Sequence, residues 1–166
     1  MATVTLKGNT LHTAGTLPNL GSPAPGFTLT GSGLGEVKLS DYAGKRVILN
    51  VFPSIDTGTC AASVRRFNAE ASKLGDDVVV LCISRDLPFA QERFCGAEGL
   101  DRVINASEMK DTAFSDAYGV RFIDGPLEGL LSRCVIVVDK DGKVAYTEQV
   151  AETTEEPDYA SALAAL

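Results

Sequence analysis

Two apolar runs, Val47-Ile-Leu-Asn-Val-Phe52 and Val78-Val-Val-Leu-Cys-Ile-Ser84, flank an amphipathic stretch, and this arrangement leaves few folds open to the chain. The second run has no polar alternation, which marks a strand covered on both faces. Between the runs, Val64, Phe67, Ala71 and Leu74 recur every three or four residues, one face of a helix whose stripe reaches back to Cys60. Arg65, Arg66, Asn68, Glu70 and Lys73 fall largely on the other faces. Strand, helix and strand in this order predict parallel neighbours in a sheet with helices packed on it.

The rest of the chain extends this unit. Thr3–Leu6 and Thr10–Thr13, joined across Gly8-Asn9, read as a small β-hairpin, and residues 1–15 form an N-terminal extension. Residues 15–26, with three prolines and three glycines, read as an extended connector. Phe27–Thr30 and Val37–Leu39 are short strand candidates, and Ser40 can cap a helical turn ending at Gly44. The core elements follow as strand 46–52, helix 60–74, strand 77–84, helix 87–95, a short strand near 102–104 and helix 111–118. Strands 134–139 and 143–149 are joined by Lys140-Asp-Gly142, a hairpin signal, and a last helix covers 157–166. The expected fold is α/β: a parallel central sheet flanked by helices, made mixed by a late antiparallel hairpin at its edge. No internal repeat or linker divides the chain, so residues 1–166 read as one domain.

Charge and composition exclude several functions. A net charge of −7 leaves no continuous basic footprint for nucleic acid, and anionic membrane surfaces are disfavoured for the same reason. No apolar stretch approaches the roughly 20 residues that span a bilayer. The N-terminal residues lack the basic-then-apolar pattern of a secretory signal, so a cytoplasmic location is expected. Four cysteines (Cys60, Cys82, Cys95 and Cys134) are too scattered for a disulfide scaffold. None is paired as C-x-x-C, so zinc-knuckle spacing is absent and no metal is called for. Cys82, inside the buried run, reads as core filler. His12, the only histidine, reads as a hairpin residue without catalytic duty.

Cys60 is different. It follows a strand that ends at Pro53 and a polar turn, and it opens a helix that Thr57 or Thr59 can cap and Gly75 can stop. A thiol there meets unpaired backbone N–H groups and the positive end of the helix dipole. Both favour the thiolate, the nucleophilic form.

Pro53-x-x-Asp56-Thr57-x-x-Cys60 resembles the P-x-x-x-T-x-x-C motif of peroxiredoxins. The closest likeness is to their bacterial thiol peroxidase subfamily, the atypical two-cysteine type. Further matches are Gly8-Asn9 with His12-Thr13-x-Gly15, Gly21-x-x-Ala24-Pro25-x-Phe27, Ser84-x-Asp86-Leu-Pro-Phe89-Ala-x-x-Arg93-Phe-Cys95, Tyr118-Gly119-Val120 and Gly129-Leu-Leu-x-Arg133. The resemblance implies a thioredoxin-like fold, Cys60 as the peroxidatic cysteine, Cys95 as the resolving cysteine of the same chain, and Pro53, Thr57 and Arg133 in support. Arg133 would turn positive potential on the sulfur, the Thr57 hydroxyl would donate to sulfur or hold the peroxide, and Pro53 would shield the pocket. It also implies hydrogen peroxide and alkyl hydroperoxides as substrates, thioredoxin as reductant, a homodimer, and no cofactor. Gly58 and Thr59 depart from the subfamily's usual proline and valine, and Cys134 stands where alanine is more familiar.

Two other readings compete. Cys60 and Arg66 satisfy the C-x5-R spacing of cysteine phosphatases, although the stretch between them has no glycine to build a phosphate cradle. Alternatively the same thiols could serve a non-catalytic redox sensor, with the apolar loop Gly125–Leu131 as a surface for a partner or a second copy.

Overall fold

The computed structural model describes residues 1–166. Its elements are β1 (Thr3–Leu6), β2 (Asn9–His12), β3 (Thr28–Thr30), β4 (Glu36–Lys38), β5 (Arg46–Val51), α1 (Gly58–Ala71), β6 (Val78–Ser84), α2 (Pro88–Glu98), β7 (Ile104–Ser107), α3 (Ala113–Tyr118), β8 (Cys134–Val138), β9 (Val144–Gln149) and α4 (Tyr159–Ala164). β1 and β2 form a two-stranded sheet, with Thr5 of β1 also bridging Glu152, and the remaining strands form one seven-stranded sheet in the order β4-β3-β7-β6-β5-β8-β9.

The expected parallel unit lies at the centre of that sheet. β5 runs parallel to β6, and β6 to β7. The hairpin does not sit wholly at the edge, because β8 pairs antiparallel with β5 and only β9 lies outside it. β3 and β4 add a second antiparallel margin, joined to β7 by the single pair Thr30–Ser107. The sheet is therefore mixed, with parallel strands enclosed by antiparallel ones.

Period-two alternation along β5 builds a core on each face. Val47, Leu49 and Val51 pack toward Phe114 and Tyr118 of α3. Ile48 faces the other way, with Val64 and Phe67 of α1 and Tyr159 and Ala162 of α4. Each large side chain fully buried in this way contributes about 1.5–3 kcal/mol. Phe67, with no exposed surface, supplies the centre of the helix layer.

Several boundaries differ from expectation for identifiable reasons. The first hairpin turns at Lys7-Gly8, with Leu6 opposite Asn9. Both turn residues have positive φ, 50° and 81°, as a two-residue turn of this twist requires. α1 begins two residues before Cys60 and gives up its regular form at Ala71. α2 does not end at Cys95. It continues through Gly96 to Glu98, where Gly99 takes a left-handed φ of 66° and stops it. An ion pair from Arg65 of α1 to Glu98, 2.8 Å, fastens that last turn. β7 falls at 104–107 rather than 102–104, because pairing of Leu81 with Ile104 and Ser84 with Ser107 sets its register. α4 starts at Tyr159, after Asp158 caps it through the Ser161 N–H at 3.0 Å.

The loop 125–131 is less available to a partner than its composition suggests. Leu131 is fully buried, while Leu127 and Leu130 pack against Val4, Leu11 and Phe122 beneath the hairpin.

One glycine is fixed by both conformation and space. Gly119 ends α3 with φ 71°, and a Cβ there would lie 2.4 Å from the backbone N and O of Thr16. Gly119→Ala should lower unfolding stability by about 3 kcal/mol, from left-handed strain plus forced displacement of a neighbouring backbone. Urea unfolding checks this, and a variant within 0.5 kcal/mol (roughly the scale of a neutral surface change) would show that the connector yields freely.

Candidate active site

The site is assembled where β5 leaves the sheet. The strand carries the chain to Phe52 and Pro53, both buried, and a short exposed turn at 56–58 leads into α1. Asp86, just beyond the end of β6, holds this turn from below. Its carboxylate accepts from Ser54 Oγ at 2.8 Å, from the Ile55 N–H at 2.7 Å and from Ser84 Oγ at 2.6 Å. The first regular bond of the helix runs from the Ala61 N–H to the Thr57 carbonyl, 3.0 Å. Cys60 is thus in the first turn, among N–H groups that the helix cannot pair.

The Cys60 sulfur has no exposed surface and faces Arg133. Arg133 Nη2 donates to Cys60 Sγ at 3.3 Å, and Nε and Nη2 donate to the Thr153 carbonyl at 3.1 and 3.0 Å. Arg133 is itself buried, with 3% of its surface exposed. It forms no ion pair with any carboxylate. Its Nη1 is buried without a partner in the protein. A buried cation without a counter-ion is expensive, and the sulfur is the ionisable group that it touches.

A cavity of about 140 Å³ opens at Arg133, walled by Pro53, Thr57, Thr59, Leu6 and Leu127 among others. Pro53 and Arg133 line this cavity, whereas Cys60 lies behind it, reached through its contact with Arg133. The Thr57 hydroxyl does not reach the sulfur. It donates to the Ser54 carbonyl at 3.0 Å, so Thr57 occupies the N-cap position without capping and offers the cavity its wall. Thr59 lies inside the helix, and its hydroxyl donates to the Thr154 carbonyl at 2.9 Å.

Cys95 is placed apart, on the buried face of α2, though in the same core layer as Cys60. It receives a hydrogen bond from Asn105 Nδ2 at 3.2 Å. Burial pushes its thiol up, and the Asn105 bond pulls against that. All four cysteines are free thiols. Burial, the largest cause, pushes the Cys82 thiol up to about 12 against a hydrogen bond from Asn50, and burial with the nearby Glu148 charge raises the Cys134 thiol as well. These two are core residues, and Cys134 packs on the sheet face opposite Cys60. His12 is engaged by Asp124, with Nδ1 2.6 Å from Oδ2.

The phosphatase spacing finds no cradle here. Cys60 and Arg66 lie on one continuous helix, and Arg66 pairs with Glu70 at 2.9 Å while covering the Tyr159 ring.

Residues 150–154 carry parts of the site that no motif announced. The Thr153 carbonyl orients Arg133, and a backbone acceptor leaves no trace in side-chain pattern. Glu152 binds the hairpin turn to this loop, accepting from Thr5 Oγ1 at 2.6 Å and from the Lys7 and Gly8 N–H groups at 2.8 and 3.1 Å. Asp86 belongs to the Ser84-x-Asp86 match, an Asp two residues after a buried Ser at a strand end, but the match assigns it no hold on the turn.

Residues 19–163 match the Redoxin family. The chain is 54% identical to the thiol peroxidase of Mycobacterium tuberculosis (strain ATCC 25618 / H37Rv) over 166 residues, covering 100% of this chain and 99% of the relative. A peroxiredoxin-like protein from Aquifex aeolicus superposes with a TM-score of 0.92 at 35% identity, covering 99% of this chain and 95% of the other. A thiol peroxidase from Chromobacterium violaceum has the same fold, with a TM-score of 0.87 at 22% identity over 97% of this chain and 93% of the other. The expected thioredoxin-like fold is the fold these structures share with this chain.

The Glu152 bonds also fix a pH response. Hydrogen bonds from Thr5, Lys7, Gly8 and Thr154 hold its carboxyl down to about 2, against an ordinary 4.5. A lowered carboxylate stabilises the fold above its unfolded value and loses that contribution as pH falls through the folded one. Amide exchange at Lys7 and Gly8 should therefore accelerate as pH drops from about 4.5 to about 2, relative to the intrinsic rates. In Glu152→Gln these amides should be poorly protected even at neutral pH, with no acid step. Equal protection in both proteins would rule out the carboxylate as the clasp.

Proposed function

The chain belongs to the Redoxin family, in the thiol peroxidase subfamily of the peroxiredoxins, and from that premise we propose how it reduces a hydroperoxide: Cys60 attacks, Cys95 resolves, and a thioredoxin-like dithiol restores both. The observation that carries this reading is the buried Arg133 guanidinium, which lacks a carboxylate partner and donates to the Cys60 sulfur at 3.3 Å.

The Cys60 thiolate attacks one peroxide oxygen. The O–O bond breaks, its electrons leave with the other oxygen, and that oxygen takes a proton to depart as water or alcohol. Cys60 is left as a sulfenic acid. Substrate peroxide is uncharged, so the site must supply polarity instead of a counter-ion. The unpartnered Nη1 of Arg133 is a donor for the oxygen on which charge develops. Pro53 adds no donor that would compete for the sulfur, and it shields the cavity together with Leu6 and Leu127. Hydrogen peroxide and alkyl hydroperoxides both suit such a chamber, whose wall combines Leu6, Leu127 and Pro53 with threonines and one guanidinium. Thr57 serves by shaping the entrance, and its hydroxyl comes to the substrate only if it leaves Ser54.

Cys95 then attacks the Cys60 sulfur, hydroxide leaves and is protonated to water, and a disulfide forms. The two thiols are on separate helices, so this step requires local opening of the first turn of α1 or of α2. Gly58 eases opening of α1, being the first helical residue and costing roughly 0.5–1 kcal/mol relative to alanine inside a helix. Reduction by an external dithiol proceeds through a mixed disulfide and restores the resting enzyme. Likeness to the subfamily supports thioredoxin as that reductant, and supports a homodimer in the cytoplasm as the working form.

Steady-state peroxide consumption with thioredoxin and its reductase tests this scheme. Cys60→Ser should be inactive. Cys95→Ser should consume one equivalent and stall unless an external thiol rescues it, and Arg133→Leu should lose about 10²–10³-fold in kcat/KM. Peptide mapping after stoichiometric peroxide should recover a Cys60–Cys95 disulfide. A different pairing, or a wild-type protein that reacts once and stops, would overturn the scheme in favour of another resolving thiol or a sensor.

A further inference from the structure

A row of polar side chains crosses the otherwise apolar sheet beneath the two cysteine-bearing helices. Asn50 of β5 stands opposite Cys82 of β6, and Cys82 stands opposite Asn105 of β7. Asn50 Nδ2 contacts Ser63 Oγ of α1 at 3.3 Å and Cys82 Sγ at 3.8 Å. At the other end, Asn105 Nδ2 donates to Cys95 Sγ at 3.2 Å and to the Gln91 carbonyl of α2 at 3.3 Å.

An asparagine amide in such a place costs desolvation energy unless its polar atoms are used. Asn105 uses them on one thiol and on the backbone of the helix that bears it. It offers that thiol two complementary contacts. Oδ1, 3.6 Å from the sulfur, can accept from the S–H form, while Nδ2 donates to the sulfur and strengthens when the sulfur is anionic. One side chain therefore keeps Cys95 oriented in both of its protonation states. The pair lines the largest cavity of the protein, about 630 Å³, at the C-terminal end of α2. The other ionisable groups facing that space are Glu92 of α2, Glu36 of β4 and Asp101, with the Cys82 thiol beside them on the sheet. All are acids, so Nδ2 is the group on hand that favours an anionic Cys95.

We propose that Asn105 is a positioning residue for disulfide formation, holding the Cys95 sulfur and favouring its thiolate. This rests on Cys95 being the resolving thiol. The step itself is unchanged: the Cys95 sulfur bonds to the Cys60 sulfur, the S–O bond breaks, and hydroxide leaves and gains a proton. Asn105 contributes neither electrons nor a proton, and its hydrogen bond is given up as the S–S bond forms.

The test separates the two chemical steps. Reduced protein is mixed with one equivalent of hydrogen peroxide and quenched by alkylation at intervals, and sulfenic acid and disulfide are counted by mass across a pH series. Asn105→Leu keeps the approximate shape and removes both contacts, whereas Asn105→Asp is isosteric, removes the donor and adds negative charge. Both should form sulfenic acid at the wild-type rate, which also shows that the Cys60 site is folded. Disulfide formation at neutral pH should slow about tenfold in the leucine variant and further in the aspartate variant. Their pH profiles should shift upward and approach wild type in alkali, where Cys95 ionises unaided. Wild-type disulfide rates in both variants, or an equal loss at every pH, would overturn the proposal, the latter marking a purely structural role. Should the leucine variant misfold, the isosteric aspartate variant carries the same test. Cys95→Ser, run alongside, should form no intramolecular disulfide. If it does, the resolving assignment fails, and the role of Asn105 in that step fails with it.

Discussion

Arg133 sits buried with its charge against the Cys60 sulfur and its remaining reach spent on the Thr153 carbonyl, and the rest of the site is arranged around that contact. Removing a guanidinium from water costs several kcal/mol. A carboxylate would offset that cost more simply, but it would also quench the field at the sulfur. Two hydrogen bonds to the Thr153 carbonyl stabilise the charge while leaving its field directed at the Cys60 sulfur. One nitrogen is left unpaired, a local destabilisation of the kind that functional sites retain.

The fold meets these demands through elements distant in sequence. β5 delivers the chain to Pro53, α1 presents Cys60 in its first turn, and the segment before β8 carries Arg133 across from the neighbouring strand. Asp86 then fixes the turn between β5 and α1 from beyond the end of β6. Because β5 is bonded to β6 on one side and β8 on the other, the pieces that meet at the sulfur belong to adjacent strands of a rigid sheet. The turn that leads into α1 is exposed, and Gly58, the first helical residue, has open space where a side chain would sit.

Much of this was legible in the residues, for a physical reason. Short apolar runs rich in β-branched residues suit strands covered on both sides, and a stripe repeating every three or four residues suits a packed helix, so β5, α1 and β6 were readable from pattern. The motif residues Pro53, Thr57 and Cys60 follow from the same local stretch. Illegible were contacts made by backbone groups or set by tertiary pairing. The Thr153 carbonyl has no side-chain signature, the register of β7 depends on β6, and the Thr57 hydroxyl chooses Ser54 over the sulfur because of how the turn folds. The end of α2 lies beyond the expected Cys95, because Gly99 and not Gly96 takes the left-handed conformation that stops it. The ion pair between Arg65 and Glu98, made across two helices, holds the last turn beyond Cys95.

The opening residues of the chain end up far from idle. Leu6 forms part of the cavity wall, and the turn that follows it is clasped by Glu152, next to the carbonyl that aims the arginine. In most proteins the first strand is a margin where additions and losses pass unnoticed. Here a change that lifts β1 would loosen the cavity wall at Arg133 and the loop that orients that arginine together.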